Sequence, residues 1–179
     1  MDIKSTEIDG LKLIYQNIFV DNRGTFLKTF NNNIFLDNSL NLNFQESFFS
    51  ISKKNVIRGM HFQTFPFQNT KLVYLSKGSI LDVVLDLREQ SKTYGKYFTI
   101  ELDEKIPITL LIPPGCAHGF LSLKNNSIVN YQQTSCFNPN YDKGIKFNSF
   151  GMNWQISNPI ISEKDLNLPN FGNIKFKFE

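Results

Sequence analysis

The stretch Lys71-Leu-Val-Tyr-Leu-Ser-Lys-Gly-Ser-Ile-Leu-Asp-Val-Val-Leu-Asp-Leu87 decides the fold class of this chain. It contains two β-rich runs separated by Ser76-Lys-Gly-Ser79, which is the pattern of a β-hairpin. In the second run alternate apolar residues share one strand face: Leu81, Val83, Leu85 and Leu87. Asp82 and Asp86 share the other face. This period of two predicts a strand whose faces meet different environments.

Similar runs recur along the chain, with turn residues between them at short intervals. They are Phe48–Ser52, Val56–Gln63, Tyr97–Leu102, Ile108–Ile112, Phe120–Leu123 and Ile128–Gln133. Helix signals are confined to Asn33–Asn38 and a short turn after Ser162. Many short strands with few helices predict an all-β fold, an antiparallel sandwich or barrel. No internal repeat or linker interrupts the pattern, so we expect one domain over residues 1–179.

Composition limits the classes of partner. Hydrophobic residues make up 41% of the chain and charged residues 20%, which is typical of a globular protein. The net charge is +3, and the basic residues are scattered along the sequence. Because nucleic-acid binding requires a concentrated basic stripe, we expect no nucleic-acid partner. A modest positive balance suits a small anionic substrate.

Cysteine content and segment hydropathy bear on location. The two cysteines, Cys116 and Cys136, are too few for a disulfide framework, and the polar segment Met1–Glu7 lacks the apolar stretch of a secretion signal. No stretch approaches the ~20 apolar residues that span a bilayer. We therefore expect free thiols, a cytoplasmic location and no membrane partner.

The chain has two histidines, and both lie in glycine-marked motifs. His61 lies in Arg58-Gly-Met-His-Phe-Gln63, and His118 lies in Pro113-Pro-Gly-Cys-Ala-His-Gly-Phe120. An isolated histidine is most often a surface or hydrogen-bonded core residue. Two histidines on or beside predicted strands, accompanied by basic residues, point instead to a functional cavity.

The alternation places His61 and Gln63 on one strand face, whereas Arg58 has the opposite parity. Arg58 can join them only if the strand bulges near Gly59. Lys71 opens the next run beside apolar neighbours, so its ammonium either points into the barrel or lies in water at the strand end. The spacing alone leaves both alternatives open.

Six segments together resemble the dTDP-4-dehydrorhamnose 3,5-epimerase family. They are Asp21-Asn-Arg-Gly-Thr-Phe26, Arg58-Gly-Met-His-Phe-Gln63, Lys71-Leu-Val, Gly78-Ser-Ile-Leu-Asp-Val-Val-Leu-Asp-Leu-Arg88, Ile112-Pro-Pro-Gly-Cys-Ala-His-Gly-Phe120 and Ser162-Glu-Lys-Asp165. Each is weak alone, but their order and spacing over residues 18–165 are specific. The resemblance implies a double-stranded β-helix (cupin or jelly-roll) barrel. It also implies a homodimer and no metal or organic cofactor.

The resemblance also implies an activity. The family epimerises nucleotide-linked 4-keto-6-deoxy sugars at C3 and C5, a step of deoxysugar and polysaccharide biosynthesis. Carried across, it makes His61 the base, Asp165 its carboxylate partner and Tyr131 the acid on the opposite face of the sugar. Removal of a hydrogen next to a ketone requires a stabilised enolate, and a fixed cation in a dry cavity provides that. Lys71 is the candidate for this role, assisted by Arg58.

Two of these roles have structural alternatives. Ser162-x-x-Asp165 also has the form of a capping box, in which Asp165 would serve the helix backbone. Tyr131 alternates with polar residues, and a strand tyrosine is by default a packing residue. Only the resemblance gives these two residues catalytic roles.

The substrate-binding residues follow from the same comparison of motifs. They are Arg23, Lys28, Glu46, Arg58, Gln63, Lys71, His118, Phe137, Asp142 and Lys164. Phe137 is expected to stack on the nucleotide base. Three positions depart from the family pattern: Lys28 replaces a glutamate, Glu46 a glutamine and Phe48 an asparagine. These departures make a CDP- or GDP-linked substrate an alternative to a dTDP-linked one. Lys28 and Glu46 could instead simply pair with each other.

Two functions of other classes remain as alternatives. A metal-dependent cupin would use Pro114-Gly-x-x-His118 as half of its metal motif, but the other half reads His61-Phe-Gln63 and lacks a second histidine. A non-catalytic sugar-binding barrel has no need for His61, Tyr131 and Lys71 together. The sequence does not decide whether C3, C5 or both are inverted, nor the base, the final glycan or the organism.

Overall fold

The computed structural model describes residues 1–173 and 175–178. In this part the strands are β1 (Asp2–Ser5), β2 (Lys12–Tyr15), β3 (Ile18–Asp21), β4 (Gly24–Leu27), β5 (Glu46–Ser52), β6 (Ile57–Gln63), β7 (Lys71–Lys77), β8 (Ser79–Asp86), β9 (Tyr97–Asp103), β10 (Ile108–Ile112), β11 (Cys116–Ser122), β12 (Ser127–Gln133) and β13 (Asp142–Gly144). The helices are α1 (Asn32–Asp37) and α2 (Glu163–Leu166). Within these residues no helix is long and apolar enough to cross a membrane.

Two antiparallel sheets form the body of the fold. The six-stranded sheet has the order β1-β2-β10-β7-β12-β5, and the five-stranded sheet has the order β13-β6-β11-β8-β9. The two runs of the predicted hairpin form the strands β7 and β8, but these lie in different sheets and do not pair with each other, so the hairpin prediction is wrong. Strands β3 and β4 make a separate hairpin. The expected all-β, double-stranded β-helix architecture is confirmed.

The apolar core fills the space between the two sheets. Its members come from both sheets and include Val73, Ile80, Leu110, Phe120 and Val129, each at most 1% exposed. Complete burial of side chains of this size stabilises the fold by about 1.5–3 kcal/mol each. Phe120 and Tyr131 belong both to this core and to the lining of a cavity between the sheets, so the core borders that cavity.

The outer face of each sheet is covered as well. Val83, Leu85 and Leu87 of the predicted alternation point away from the interior and pack in a second cluster with Phe150 and Trp154. α1 places Phe35 against the outside of the other sheet. The side chain of Asn31 caps α1 by accepting from the Ile34 amide, which explains why this helix begins there. The coverage of both faces leaves Asp82 and Asp86 fully buried.

Candidate active site

A cavity of about 540 Å³ lies between the two sheets. Its lining comes from β5, β12 and β7 of one sheet and from β6 and β11 of the other, with additions from β13 and α2. The lining residues are Glu46, Phe48, Ser50, Arg58, His61, Gln63, Lys71, His118, Phe120, Tyr131, Gln133, Phe137, Asp142, Ser162, Lys164 and Asp165. The volume suits a small ligand.

A bulge in β6 brings Arg58 and His61 onto the same cavity wall. Opposite β11, His118 pairs with His61 and Phe120 pairs with Arg58, so that β6 contains one extra residue between these pairs. Gly59 lies in this bulge with φ +127°, and a Cβ there would meet the Gly119 Cα at 2.5 Å. A glycine is therefore required at this position. The predicted bulge is confirmed.

His61 and Asp165 form a hydrogen-bonded pair. Nε2 of His61 lies 2.8 Å from Oδ1 of Asp165. The other carboxylate oxygen, Oδ2, accepts from the Gly59 amide at 3.2 Å. Burial opposes ionisation of Asp165, but these hydrogen bonds outweigh it and hold its pKa below the ordinary value. Because a carboxylate only accepts, the Nε2 atom carries the proton and Nδ1 keeps a free lone pair. A neutral histidine in this tautomer can act as a base.

The capping alternative for Asp165 is half right. Ser162 is the N-cap of α2, and its hydroxyl accepts from the Asp165 amide at 3.1 Å. The carboxylate itself reaches His61 across the cavity wall. One short helix therefore fixes the backbone of Asp165 and frees its side chain for the histidine.

Tyr131 faces the same cavity from the opposite sheet. It is 8% exposed, with the ring of Phe48 stacked on it at 4.7 Å and the edge of the His118 ring at 5.9 Å. Burial, and to a smaller extent the negative charge of Asp82, raise the pKa of its hydroxyl. The phenol therefore keeps its proton at neutral pH and is available as a donor.

Lys71 points into the barrel, which resolves the two alternatives for its side chain. Its Nζ atom donates to the carbonyl oxygen of His61 at 3.1 Å and so links the two sheets. Burial lowers the pKa of Lys71 to about 8, although the negative charge of Asp142 acts in the opposite direction. The ammonium is thus a cation with little water around it, close to the base.

Further charged groups surround the cavity mouth. Arg58 donates to the Ser52 hydroxyl at 3.0 Å and to the Ile51 carbonyl, and Lys164 pairs with Asp142 at 2.6 Å. Arg58, Lys71 and Lys164 are the cations of the cavity lining, beside the carboxylates of Glu46, Asp142 and Asp165. Lysine and arginine side chains are the groups that bind phosphate oxygens.

Glu46 and Gln63 hold the backbone around Phe137. Glu46 Oε2 accepts from the Phe137 amide at 2.6 Å and from the Gln133 side chain at 2.8 Å. The Gln63 amide accepts from Asn138 N and donates to the Cys136 carbonyl. The exposed ring of Phe137 is therefore presented on a fixed backbone. Among the described residues Lys28 is not a partner of Glu46, so the suggested Lys28–Glu46 pair is wrong.

His118 is held by a carboxylate that the sequence analysis missed. Its Nε2 atom lies 2.8 Å from Oδ2 of Asp82, and both side chains are buried. A buried aspartate in an apolar strand was the available signal, but its partner depends on the pairing of β8 with β11. Among the residues described, no group of three or more His, Cys, Asp or Glu side chains could hold a metal ion. The donor set therefore gives the metal-dependent alternative no support.

Comparison with known proteins identifies the family. The family model for dTDP-4-dehydrorhamnose 3,5-epimerase matches residues 5–173. A dTDP-4-dehydrorhamnose 3,5-epimerase of Methanothermobacter thermautotrophicus is 41% identical over 90% of each chain. The chain belongs to the dTDP-4-dehydrorhamnose 3,5-epimerase family.

Two solved structures of this family are similar to the chain. The Bacillus anthracis enzyme, with TDP and pyrophosphate bound, is 32% identical, with a TM-score of 0.91, and the match covers 94% of this chain and 98% of that one. The Legionella pneumophila enzyme, in complex with dTDP-4-keto-L-rhamnose, is 28% identical, with a TM-score of 0.92, and the match covers 99% and 98%. The double-stranded β-helix of this chain is thus the architecture of the epimerase family.

Most of the residues proposed from the family motifs meet in the cavity. Arg23 and Lys28 do not. Arg23 lies at the exposed tip of the β3–β4 hairpin, where it pairs with Asp21, and Lys28 follows β4 at the surface. Their contact with substrate stays a prediction. Phe48, which departs from the epimerase pattern and begins a predicted strand, forms part of the cavity wall.

Proposed function

We propose that the chain is an isomerase that epimerises a dTDP-linked 4-keto-6-deoxy sugar at C3, C5 or both. The observation that carries the proposal is the position of His61 and Tyr131. A base on one sheet faces a proton donor on the other sheet across one cavity. Epimerisation by deprotonation and reprotonation requires this two-sided arrangement.

The reaction begins at His61. Its Nδ1 atom takes the hydrogen of the carbon next to the ketone as a proton, and the C–H electron pair forms an enolate. The imidazolium that results is stabilised by the carboxylate of Asp165. General-base catalysis of this kind contributes about 10²–10⁴-fold to the rate.

The enolate oxygen then requires a cation. Lys71 is held against the backbone of His61 and so lies close to the reacting carbon and its carbonyl. Arg58 supplies a second positive charge on the same wall as His61. In a cavity with little water each cation acts more strongly than it would in solution.

The last step inverts the carbon. Tyr131 gives its hydroxyl proton to the face opposite His61, and the enolate electrons form the new C–H bond. Before the next turnover the imidazolium loses its proton and the phenolate regains one, either by net transfer from His61 to Tyr131 or by exchange of both groups with solvent. The raised pKa of Tyr131 keeps its hydroxyl protonated until this step. Because the same shift opposes formation of the phenolate, the basicity of the enolate carbon has to drive the transfer.

The nucleotide end of the substrate lies at the cavity mouth in this proposal. Phe137 stacks on the base, while Lys164 binds the pyrophosphate. The bound TDP and pyrophosphate of the Bacillus anthracis relative support a dTDP carrier. Glu46 uses one carboxylate oxygen to hold Phe137, so this departure has a structural role that does not depend on the base.

A homodimer is part of the proposal. Phe19 and Phe26 are cross-strand neighbours on the β3–β4 hairpin and are 57% and 60% exposed. Phe49 and Ile51 are exposed on the edge strand β5, next to the cavity mouth. Covering these surfaces with a second copy would bury both apolar areas and bring a hairpin, with Arg23, to the site.

The oligomeric state tests this part of the proposal. Phe19→Asp should yield a monomer by light scattering and should weaken substrate binding. Ile106→Asp is the matched control, because Ile106 is equally exposed at the turn before β10. A dimeric, fully active Phe19→Asp variant would contradict the proposed interface.

Two further statements complete the proposal. Residues 1–179 act as one domain, because both sheets contribute to the cavity. A reducing, cytoplasmic location fits the free thiols of Cys116 and Cys136.

The activity is tested by incubating the protein in deuterated water with dTDP-, CDP- and GDP-linked 4-keto-6-deoxy sugars. We expect deuterium at C3, C5 or both, and the fastest reaction with the dTDP-linked sugar. Calorimetric titration with the three free nucleotides tests the carrier separately. Tighter binding of CDP or GDP would overturn the dTDP assignment, and a lack of exchange with every sugar would overturn the epimerase activity.

A further inference from the structure

The ring of Phe48 forms the part of the cavity wall that adjoins the proposed proton donor. Phe48 and Tyr131 are direct cross-strand partners of β5 and β12. Their rings are nearly parallel, with an angle of 14° and centroids 4.7 Å apart. Phe48 is 44% exposed, whereas Tyr131 is 8% exposed, so Phe48 presents the larger free surface of this stack.

The stereochemistry of proton removal decides what meets this wall. When the hydrogen of the reacting carbon points toward His61, the exocyclic substituent of that carbon is bent toward the opposite sheet. At C5 of a 6-deoxy sugar this substituent is a methyl group. At C3 it is a hydroxyl group. The stack of Phe48 on Tyr131 therefore meets a methyl group in one reaction and a hydroxyl group in the other.

We propose that Phe48 is a specificity-determining residue that favours reaction at C5 over reaction at C3. The inference rests on the proposed epimerase function and deepens it. The face of Phe48 has no hydrogen-bonding group, so a hydroxyl placed against it loses its water partners without replacement. A methyl group placed there gains from burial.

Phe48 biases the reaction toward C5 but does not exclude reaction at C3. Ser50 follows on the same face of β5 and lines the cavity, and its hydroxyl lies beside that of Tyr131, whose pKa it acts to lower. This hydroxyl could accept or donate a hydrogen bond when the C3 hydroxyl is present. An apolar wall discriminates a methyl group from a polar group by about 10–100-fold. We therefore expect slower but measurable reaction at C3.

Exchange rates at the two carbons test the proposal within a single sample. Proton NMR in deuterated water follows the loss of the H3 and H5 signals of the dTDP-linked 4-keto-6-deoxy sugar. The wild-type protein should exchange C5 faster than C3. Phe48→Asn, which adds a polar group to the wall, should lower the ratio of the C5 rate to the C3 rate about tenfold. Phe48→Leu keeps the wall apolar and should retain a ratio close to that of the wild type.

A second measurement uses the wild-type protein alone and does not depend on the folding of a variant. An analogue with a hydroxyl at C6 presents a polar group at C5, so its C5 exchange should slow about tenfold relative to C3 exchange. Equal ratios for the two sugars, or for Phe48→Asn and wild type, would overturn the role of Phe48. An equal decrease of the ratio of the C5 rate to the C3 rate in Phe48→Leu would also overturn it. The preference for C5 would then depend on the stacking of Phe48 on Tyr131 and not on the polarity of the wall. If the wild-type protein exchanges neither carbon, the epimerase function itself fails.

Discussion

The protonation of Lys71 should set the alkaline limit of the activity. Burial lowers the pKa of this lysine from 10.5 to about 8. Its charged form, which stabilises the enolate, is therefore present below about pH 8 and is lost above it. The protonated fraction falls from about ten-elevenths at pH 7 to about one-eleventh at pH 9. We expect kcat/KM, which reports the free enzyme, to fall about tenfold over this interval.

Unfolding does not account for such a loss. Between about pH 8 and 10.5 the folded chain binds fewer protons at Lys71 than the unfolded chain does. The contribution of this group to the free energy of unfolding therefore rises with pH in that window. Deprotonation of Tyr131 does not account for the loss of kcat/KM either. The pKa of its hydroxyl is raised, so the phenol stays protonated over this interval.

The control is Lys71→Arg, whose guanidinium stays charged throughout this range. Its kcat/KM should be lower than that of the wild type near pH 7, because the fork of the guanidinium does not reproduce the position of the ammonium. It should, however, show no decline up to about pH 9. Initial rates of epimerisation from about pH 6 to 10 provide the assay. A flat wild-type profile, or an alkaline decline that persists in Lys71→Arg, would refute the role of Lys71.

Three further substitutions test the support of the site. Asp165→Asn keeps the shape of the side chain but removes the carboxylate that holds His61, so kcat should fall about 10²–10⁴-fold with little change in KM. An unchanged kcat would contradict the role of Asp165 as the partner of the base. Gly59→Ala places a Cβ 2.5 Å from the Gly119 backbone and should lower the free energy of unfolding by about 3 kcal/mol in urea titrations, whereas wild-type stability would show that the bulge adapts. Glu46→Ala removes the acceptor of the Phe137 amide and should raise KM about tenfold at nearly constant kcat, whereas Glu46→Gln retains an acceptor and should not.

The strands of the barrel could be predicted from the sequence because their alternation is local. The predicted helix Asn33–Asn38 differs from α1 by one residue at each end. Strands β1 to β4 and β13 were missed, since runs of three or four residues carry too little pattern. The sequence also could not show which face of β8 points toward the space between the sheets. Its apolar face packs outward because a C-terminal segment covers the sheet, and its aspartates point inward.

The candidate site, like the fold, could be predicted only in part from the sequence. The motifs selected His61 and Lys71, the family resemblance added Tyr131, and the glycine in β6 indicated the bulge. The partners that orient these groups depend on strand register and on contacts between distant segments. Asp82 meets His118, and Phe48 meets Tyr131, only because of how the strands pair. Sequence spacing contains no record of such neighbours.

The most direct test of the two-sided mechanism compares deuterium exchange with inversion in one pair of variants. His61→Asn lacks the base and should exchange no sugar carbon, while its circular dichroism should match the wild type. Tyr131→Phe keeps the packing against Phe48 but lacks the donor, so it should still exchange deuterium at the reacting carbon and should produce the inverted sugar at least about a hundredfold more slowly. Full-rate exchange in His61→Asn, or inversion at the wild-type rate in Tyr131→Phe, would contradict the account.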